Sequence, residues 1–365
     1  MIDNEVLRNA LATVTEPALG RDVVSANLVE IARDGEQVVV RYAPPSAALP
    51  HNGAVMELLR TAAATVANQP VRVELAPSAI AGSPSSPRIG CLLGVGAGKG
   101  GVGKSTVASN LAVTLAKAGC RVGLLDADIY GPSVPILMGL RGAKPAVNAA
   151  RQIVPAVAHG VKTVSIGFMV QEDMAVAWRG PMVGKAVTQL LSDVDWGDLD
   201  YLIVDLPPGT GDVVLSLCQA AALDGAVVVS TPQDVAFADV LRAVRMFSML
   251  KVDVVGLVEN MAYFLCPDNG KTYEIFGPSN SERHCSSHDV PFLGRLPIEL
   301  QVSPSADAGL PIVVAEPNSD LAVRYRALAA DLALRVVRRK AGAAAQASLG
   351  QGFFTVHDYT PPAAS

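Results

Sequence analysis

The chain has 365 residues, of which 50% are hydrophobic and 17% are charged, with a formal net charge of −5. This length predicts two domains, or one large domain with an appendage, and the hydrophobic content is sufficient for a sizeable core. The negative charge argues against a general nucleic-acid-binding protein, because such binding needs clustered lysine and arginine. No uncharged apolar run reaches the length of about 18 residues that a membrane-spanning helix needs.

Five cysteines, at positions 91, 120, 218, 266 and 285, are scattered along the chain and do not form the spacing pattern of a disulfide framework. The first residues, Met-Ile-Asp-Asn-Glu-Val, have neither the basic region nor the apolar region of a secretory signal peptide. We therefore expect a cytoplasmic protein with reduced thiols.

Residues 1–75 are predicted to form a small α+β domain. The spacing of apolar residues predicts helices over Asn4–Val14 and Ala54–Asn68. Short runs rich in β-branched and apolar residues predict strands over Ala26–Ile31, Gln37–Tyr42 and Val71–Leu75.

Residues 76–88 are a predicted linker, because this segment is rich in proline and serine. From residue 89 to residue 340, apolar strands alternate with helical patterns; the clearest strands are Arg121–Asp126, Tyr201–Asp205, Gly225–Ser230 and Val254–Val258. This alternation predicts an α/β fold with a doubly wound, mostly parallel sheet that binds ligands at the carboxyl ends of its strands. A last helix is predicted over Asp320–Arg339, and residues 341–365 are a predicted disordered tail.

The segment from residue 98 to residue 106, G-K-G-G-V-G-K-S-T, contains the P-loop pattern G-x-x-x-x-G-K-S. It follows an apolar run at Arg88–Val95 and precedes a helical pattern that ends at Gly119. Glycine lets backbone N–H groups approach a phosphate, because no Cβ blocks them. In such a loop Lys104 neutralises phosphate charge and the Ser105 hydroxyl ligates Mg²⁺. The predicted ATP-binding residues are Gly98, Lys99, Gly100, Gly101, Val102, Gly103, Lys104, Ser105 and Thr106.

Three acidic residues are predicted to lie beside the P-loop. Asp126 and Asp128 follow one apolar strand and Asp205 ends another, so they belong to the carboxyl edge of the predicted sheet. We expect Asp205 and Ser105 to hold Mg²⁺ or its bound water, and Asp126 to support the same metal. We expect Asp128 to orient the attacking water in ATP hydrolysis. The alternative is that these carboxylates are strand-terminal caps or turn residues.

Lys99, the first lysine of K-G-G-V-G-K-S-T, makes this segment resemble the deviant Walker A motif of the MinD, ParA and nitrogenase-iron-protein class. In that class the first lysine reaches across a dimer to the partner's nucleotide. The resemblance implies a MinD-like (SIMIBI) P-loop NTPase that acts as a homodimer, with Lys99 and Lys104 both catalytic. A cation supplied in trans stabilises the charge that develops during phosphoryl transfer. The alternative is that Lys99 is an exposed loop charge.

Four motifs narrow the resemblance to the Mrp/ApbC family of ATP-binding iron–sulfur cluster carriers. They are D-A-D-I-Y-G-P-S, W-R-G-P-M, D-L-P-P-G-T-G-D and V-E-N-M, which begin at residues 126, 178, 205 and 258. The resemblance covers residues 90 to about 335 and implies slow ATP hydrolysis and cluster delivery to client apoproteins. Through Val14–Val24 and the element order, the first 75 residues resemble a small iron–sulfur-assembly domain. By the same resemblance we expect Asn260 to contact adenine; a strand-end turn is the alternative.

The chain departs from this family at the cluster site. Family members carry a C-x-x-C pair after the Asn-Met strand, which gives four thiolates for a 4Fe-4S cluster at a dimer interface. Here Cys266 is present, but Asn269, a poor iron ligand, replaces the second cysteine. Cys285, with His284 as a further option, could complete the site; the cluster could be labile or completed by a client; or this chain has lost the cluster. Ala43–Pro50 also lacks the cysteine that relatives often carry there.

Other functions use the same deviant P-loop. A MinD- or ParA-like positioning ATPase needs a basic DNA-binding face or an amphipathic membrane helix; the cations at 335, 338, 339 and 340 also suit a helix C-terminus. We therefore expect neither nucleic-acid binding nor stable membrane association. A nitrogenase-like electron donor needs two separated cysteines near its switch segments, and Asp128–Asp205 contains none. A regulatory ATPase or scaffold is the remaining alternative.

Overall fold

In the computed structural model, the described residues are 4–34, 37–67, 69–78, 89–129, 131–168 and 180–351. Some of the residues for which the sequence analysis made predictions lie outside these ranges. They are most of the linker, Tyr130 of one motif, Trp178 and Arg179 of another, and residues 352–365 of the tail. The described chain forms a small N-terminal unit packed against a larger α/β unit.

The N-terminal unit is an α+β fold. Its elements in chain order are α1 (Asn4–Leu11), β1 (Thr15–Glu16), β2 (Arg21–Asp22), β3 (Val29–Asp34), β4 (Gln37–Tyr42), α2 (Asn52–Val66) and β5 (Val71–Leu75). Three of the strands form a sheet in the order β3-β4-β5. Leu7 and Leu11 of α1 and Leu59 of α2 are fully buried against the sheet. The strand predicted at Ala26–Ile31 begins later, because Asn27 adopts a left-handed turn conformation with a φ of 56°.

The larger unit is built on an eight-stranded sheet. The strands of this unit are β6 (Leu92–Gly96), β7 (Val122–Asp126), β8 (Ala146–Val147), β9 (Ile153–Val154), β10 (Ala156–Ala158), β11 (Val161–Ser165), β12 (Tyr201–Asp205), β13 (Gly225–Ser230), β14 (Val254–Glu259), β15 (Phe264–Leu265), β16 (Thr272–Tyr273) and β17 (Phe292–Arg295). The order of strands in the large sheet is β10-β11-β7-β12-β6-β13-β14-β17. Neighbouring strands of the large sheet are parallel except β10 and β11. Strands β8 with β9, and β15 with β16, form separate antiparallel pairs.

Helices cover both faces of the large sheet. They are α3 (Lys104–Lys117), α4 (Val134–Leu137), α5 (Gly180–Ser192), α6 (Asp212–Ala221), α7 (Asp234–Met249), α8 (Ser281–Ser287), α9 (Val302–Asp307), α10 (Ile312–Ala315) and α11 (Asp320–Gln351), with a 3₁₀ turn at Ile166–Phe168. Leu111 of α3 and Leu332 of α11 belong to one apolar cluster, whereas Val187 of α5, Leu217 of α6 and Phe247 of α7 belong to a second. Every residue of β7 and β12 is buried, as expected for parallel strands covered on both sides. The predicted doubly wound, mostly parallel fold is confirmed.

The last helix is longer than the sequence analysis predicted. Instead of ending at Arg339 with a disordered segment from residue 341, α11 continues to Gln351. Five of the eleven residues from 341 to 351 are alanine, which has the highest intrinsic helix propensity, and the glycines at positions 342 and 350 do not end the helix before Gln351. Residues 341–351 are therefore not the disordered segment we expected.

The loop between β4 and α2 joins the N-terminal unit to the larger one. The Ser46 hydroxyl is 2.9 Å from the Tyr201 hydroxyl at the start of β12, and both side chains are buried. Ala48 and Leu49 belong to the same apolar cluster as α3. The contact lies at the amino end of β12, whereas the P-loop follows the carboxyl end of the adjacent parallel strand β6. The N-terminal unit thus packs at the end of the sheet opposite the P-loop.

We expect the Ser46→Ala substitution to lower the free energy of unfolding by about 1–3 kcal/mol, because it leaves the buried Tyr201 hydroxyl without its partner. Urea denaturation checks the change. Ser286→Ala removes an exposed hydroxyl that donates to the Glu282 carbonyl, and should alter the free energy of unfolding by less than about 0.5 kcal/mol. Equal losses in the two variants would contradict a stabilising role for the junction.

Candidate functional site

The predicted P-loop joins β6 to α3, and three of its glycines occupy positions where an L-residue would be strained or would clash. Gly101 and Gly103 have φ values of 78° and 81°, in the region that favours glycine. A Cβ atom on Gly98 would lie 2.4 Å from the Asp239 carbonyl oxygen, and one on Gly103 would lie 2.3 Å from Asn260 Nδ2. The loop therefore has the close backbone packing that a phosphate cradle requires.

Lys104 lies at the centre of the site, with only 7% of its side chain exposed. Its Nζ atom is 2.6 Å from Asp205 Oδ1 and 3.7 Å from Asp128 Oδ2. It also donates to the Ser105 hydroxyl at 3.2 Å. The structure thus brings together four of the predicted residues, from the loop and from the ends of two strands.

Asp205 is fully buried at the end of β12. Burial raises its pKa, and the opposing influences are the Lys104 ammonium and the Ser105 hydroxyl. Its second oxygen, Oδ2, has no hydrogen-bond partner within the described part of the chain. A buried, unpartnered carboxylate oxygen beside a P-loop hydroxyl fits the oxygen donor set of a hydrated Mg²⁺ ion. Asp205 and Ser105 are therefore suited to the metal role predicted for them.

The Asp126 carboxylate is hydrogen-bonded to nearby protein groups. Its carboxylate accepts from the backbone N–H of Asp128 at 3.1 Å, from the N–H of Val134 at 3.3 Å and from the Ser165 hydroxyl at 3.0 Å. Burial, followed by repulsion from Asp205, raises its pKa to about 8. These contacts organise the turn after β7, and Asp126 as a Mg²⁺ ligand stays a prediction.

Lys99 lies in the P-loop and is partly exposed. Beside it, the loop after β12 touches the P-loop: the Gly209 N–H donates to the Ala97 carbonyl at 2.9 Å, and Pro208 lies 3.9 Å from the position of a Cβ on Gly100. Thr106 follows inside the first turn of α3 and is also partly exposed.

Asn260 comes directly after β14 and reaches back to the P-loop. Its Nδ2 atom donates to the Val102 carbonyl oxygen at 2.9 Å. This contact leaves the Oδ1 atom of the amide as an acceptor. The sequence analysis predicted an adenine contact for Asn260 and did not foresee its bond to the loop.

Cys266 lies on the hairpin formed by β15 and β16 and is not fully buried. A cavity of about 460 Å³ beside it is lined mainly by the hairpin and by Glu299, Leu300 and Gln301. Asn269, in place of the family's second cysteine, shapes the turn: its Oδ1 accepts from the Lys271 N–H at 2.9 Å. This local hydrogen bond gives Asn269 a structural role.

Cys285 is placed differently. It is 1% exposed in α8, packs in the apolar cluster with α7, and is not among the residues that line the cavity beside Cys266. Burial raises the pKa of its thiol to about 11, which keeps it protonated. His284 stacks on Phe237, with ring centroids 4.7 Å apart. Neither Cys285 nor His284 lines the cavity beside Cys266, and no group of three metal-ligating side chains occurs in the described ranges.

Comparison with protein families matches residues 88–333 to the ParA family, described as NUBPL iron-transfer P-loop NTPases. The chain belongs to this family. It is 46% identical over 335 residues to an iron–sulfur cluster carrier protein of Deinococcus radiodurans, covering 90% of this chain and 95% of that protein. It is 47% identical over 242 residues to the iron–sulfur cluster transfer protein NUBPL of Dictyostelium discoideum, covering 66% of this chain and 75% of that protein.

Solved structures agree with this assignment. A nucleotide-binding protein of Archaeoglobus fulgidus in complex with ADP is 40% identical, with a TM-score of 0.56, over 64% of this chain and 90% of that one. The cell division ATPase MinD of Pyrococcus furiosus shares the fold with a TM-score of 0.53 at 20% identity, over 67% of this chain and 98% of that one. The predicted family and the MinD-like fold are confirmed. None of the described helices is long and apolar enough to span a bilayer.

Two residues of this family member that the sequence analysis gave no role lie next to the site. Glu259 ends β14 fully buried, and Arg295 ends the neighbouring strand β17 with its Nε atom 2.9 Å from Glu259 Oε2. The signal was available, because Glu259 ends an apolar strand as Asp205 does. The partner could not be foreseen, since Arg295 is 36 positions away in the sequence.

We expect Gly103→Ala to weaken ADP binding more than Gly101→Ala does. Both changes force an L-residue into a left-handed conformation, which costs about 1–2 kcal/mol. Only the Cβ at position 103 also overlaps the Asn260 amide, because position 101 has nothing within 4 Å. Isothermal titration with ADP measures both affinities. In the Asn260→Ala background, which lacks the overlapping amide, Gly103→Ala should lower ADP affinity less than it does in the parent; an equal loss in both backgrounds would contradict this steric explanation.

Proposed function

We propose that this chain is an ATP-binding, slowly ATP-hydrolysing carrier that acts as a homodimer and transfers an iron–sulfur cluster to apoproteins. The observation that carries the proposal is the arrangement of Lys104, Ser105, Asp128 and Asp205 around one P-loop in a member of the iron-transfer family. Relatives at 46–47% identity are named as cluster carrier and cluster transfer proteins, which supports the cargo.

ATP binding is supported by the shape of the loop and by the ADP complex of the Archaeoglobus relative. The glycines allow the backbone N–H groups to surround the phosphates, and Lys104 supplies positive charge beside them. At the other end of the nucleotide, the free Oδ1 atom of Asn260 can accept from the exocyclic amino group of adenine. We expect this contact to favour adenine over guanine, which has a carbonyl at that position.

Ser105 and Asp205 would hold Mg²⁺, Ser105 directly and Asp205 through a bound water. When bound there, the ion would neutralise negative charge on the phosphates of the nucleotide. The unpartnered Oδ2 atom of Asp205 supports this assignment, because an uncompensated buried oxygen is costly unless a ligand or water satisfies it.

Hydrolysis needs an oriented water and a compensating cation. Asp128 Oδ2 lies 3.7 Å from Lys104 Nζ, so this carboxylate is placed beside the loop, where it can accept a hydrogen bond from the attacking water. Lys99 lies at the exposed tip of the loop, so it can reach the nucleotide of a second subunit. Turnover that depends on dimer closure is expected to be slow, because the conformational step limits it.

A mixing experiment tests whether Lys99 acts across the dimer. Lys99→Ala should lower ATP hydrolysis by about 10³-fold or more, the effect of losing a cation supplied in trans, and Asp128→Ala should also lower it strongly, because it removes the carboxylate that orients the water. When the two variants are mixed equally, a mixed dimer contains one site with both groups. Random pairing then restores about a quarter of the parent turnover, measured as phosphate release.

The outcome depends on which subunit supplies the lysine. If Lys99 acted on its own subunit's nucleotide, no mixed dimer would contain a complete site and mixing would restore nothing. A mixture of Lys104→Ala with Asp128→Ala is the control, because Lys104 belongs to the same subunit's Asp205 pair and mixing should not restore activity.

In this proposal the iron–sulfur cluster is the cargo, and Cys266 is its ligand. Two subunits contribute two thiolates from their hairpins, and thiolate is the ligand that iron–sulfur clusters prefer. Because Asn269 and the buried Cys285 do not add thiolates, we infer that the cluster is incompletely ligated by the carrier. Incomplete ligation leaves iron positions open to the thiolates of a client, which favours transfer over storage.

Anaerobic reconstitution with iron and sulfide tests the cargo. The parent protein should bind iron, Cys266→Ala should bind little, and Cys285→Ala should bind as much as the parent, because that thiol is buried away from the hairpin. Asn269→Cys should increase iron retention during gel filtration, since it completes a C-x-x-C pair. Equal and low iron in the parent and all three variants would remove the carrier role.

The alternative is a MinD- or ParA-like positioning or regulatory ATPase that has lost the cluster. The local turn contact of Asn269 favours this alternative, because the amide hydrogen-bonds within the hairpin and is a poor ligand for iron. It predicts nucleotide-dependent dimerisation without iron, so the reconstitution experiment distinguishes the two functions.

A further inference from the structure

A continuous set of contacts links the P-loop to the hairpin that carries Cys266. It begins at Asn260, whose amide donates to Val102 and lies against Gly103. Because these contacts are tight, a shift of the loop on binding phosphate must also move the Asn260 side chain or be opposed by it. The residue that follows, Met261, has a φ of 56°, so the chain turns sharply at this corner.

The residue before Asn260 anchors the corner. Glu259 accepts from the hydroxyl of Ser279 at 2.9 Å, from the hydroxyl of Ser281 at 3.1 Å, and from Arg295 Nε at 2.9 Å. A fully buried carboxylate needs such partners, because an unpaired buried charge is strongly destabilising. Glu259 is therefore held firmly to β17 and to the segment before α8.

Arg295 makes a second contact, which is not needed to neutralise the charge of Glu259. Its NH2 group donates to Glu274 Oε1 at 3.2 Å, and Glu274 directly follows β16. Glu274 is 41% exposed, so water could solvate its carboxylate without this partner. Strands β15 and β16 have two residues each, too few to fix the hairpin on their own. The guanidinium thus ties the return strand of the hairpin to the carboxyl end of β14.

We propose that Arg295 is a positioning residue that couples the nucleotide state of the P-loop to the exposure of Cys266. The proposal rests on the proposed function, because it assigns a regulatory role to the same nucleotide site and the same thiol. When Asn260 moves, the backbone transmits the displacement to Glu259. The guanidinium of Arg295 then transmits it to Glu274, because it contacts both carboxylates. The displacement of Glu274 changes the exposure of the Cys266 thiol. A planar fork with two donors can hold both carboxylates at once.

Thiol labelling measures this coupling directly. Of the five cysteines, all within the described residues, only Cys266 is not buried, so a thiol reagent reports on the hairpin. We expect its modification rate in the iron-free parent to change by about fivefold or more on adding ADP with Mg²⁺ or a non-hydrolysable ATP analogue, the lower end of typical coupling between sites. The unfolding midpoint of each variant is measured alongside.

Three variants isolate Arg295. Arg295→Lys retains a cation for Glu259 but not the fork, and should abolish the nucleotide response of Cys266. Glu274→Ala leaves the Glu259 ion pair intact and should have the same effect, which keeps the test valid if the first variant is unstable. Arg324→Lys is the matched control: Arg324 also stacks on Tyr263 at 5.4 Å, as Arg295 does, but pairs with Asp320 in its own helix. It should keep the response, and ADP affinity should change by less than about threefold in all three.

The outcomes separate this inference from the proposed function. If the parent shows no nucleotide response, or if Arg295→Lys and Glu274→Ala both keep it, the coupling role of Arg295 is wrong whatever the iron content. If the response follows Arg295 while the parent fails to bind iron on reconstitution, the coupling stands and the carrier function is wrong. Loss of the response in Arg324→Lys as well would also overturn the assignment, because it would point to general loosening of the hairpin.

Discussion

The buried ion pair between Lys104 and Asp205 is the interaction on which the rest of the site depends. Neither charge is stable alone in the core, because removing one partner of a buried pair leaves an uncompensated charge. The pair joins the first residue of α3 to the last residue of β12 and so fixes the P-loop over the carboxyl edge of the sheet. The same edge holds the end of β7, which explains why Asp126 and Asp128 lie beside it: Asp126 is the register partner of Asp205.

Much of the fold could be predicted from the sequence because the signals are local. Strands such as Tyr201–Asp205 and Gly225–Ser230 are continuous apolar runs, and their bounds in the structure are those predicted. The packing of the N-terminal unit could not be predicted, since it depends on a contact between Ser46 and Tyr201, 155 residues apart. The end of α11 was placed too early because the small residues of the tail were interpreted by composition, whereas alanine favours helix.

The candidate site, like the fold, could be predicted from the sequence only in part. The motif fixed the identity of the loop residues, and the strand ends fixed the positions of the carboxylates. What the sequence could not show is which polar groups each side chain already uses: Asn269 shapes its own turn, and Asp126 accepts three hydrogen bonds from its surroundings. Cys285 was a reasonable candidate ligand in the sequence, but burial depends on the packing of α8 against α7, which no local pattern reports.

Three strands of the sheet, β7, β12 and β14, end in buried carboxylates, and those of β12 and β14 are each paired with a cation from a different element. At Asp205 the cation is Lys104, which belongs to the predicted phosphate-binding loop. At Glu259 the cation is Arg295, which faces the thiol hairpin through Glu274. Asn260 lies between them and touches the loop. A sheet edge with two such pairs can hold the nucleotide and the thiol near the ends of β12 and β14, which are separated by β6 and β13, and the proposed chain of contacts would connect the two. This connection is what a carrier needs if nucleotide binding is to control when its cargo is released.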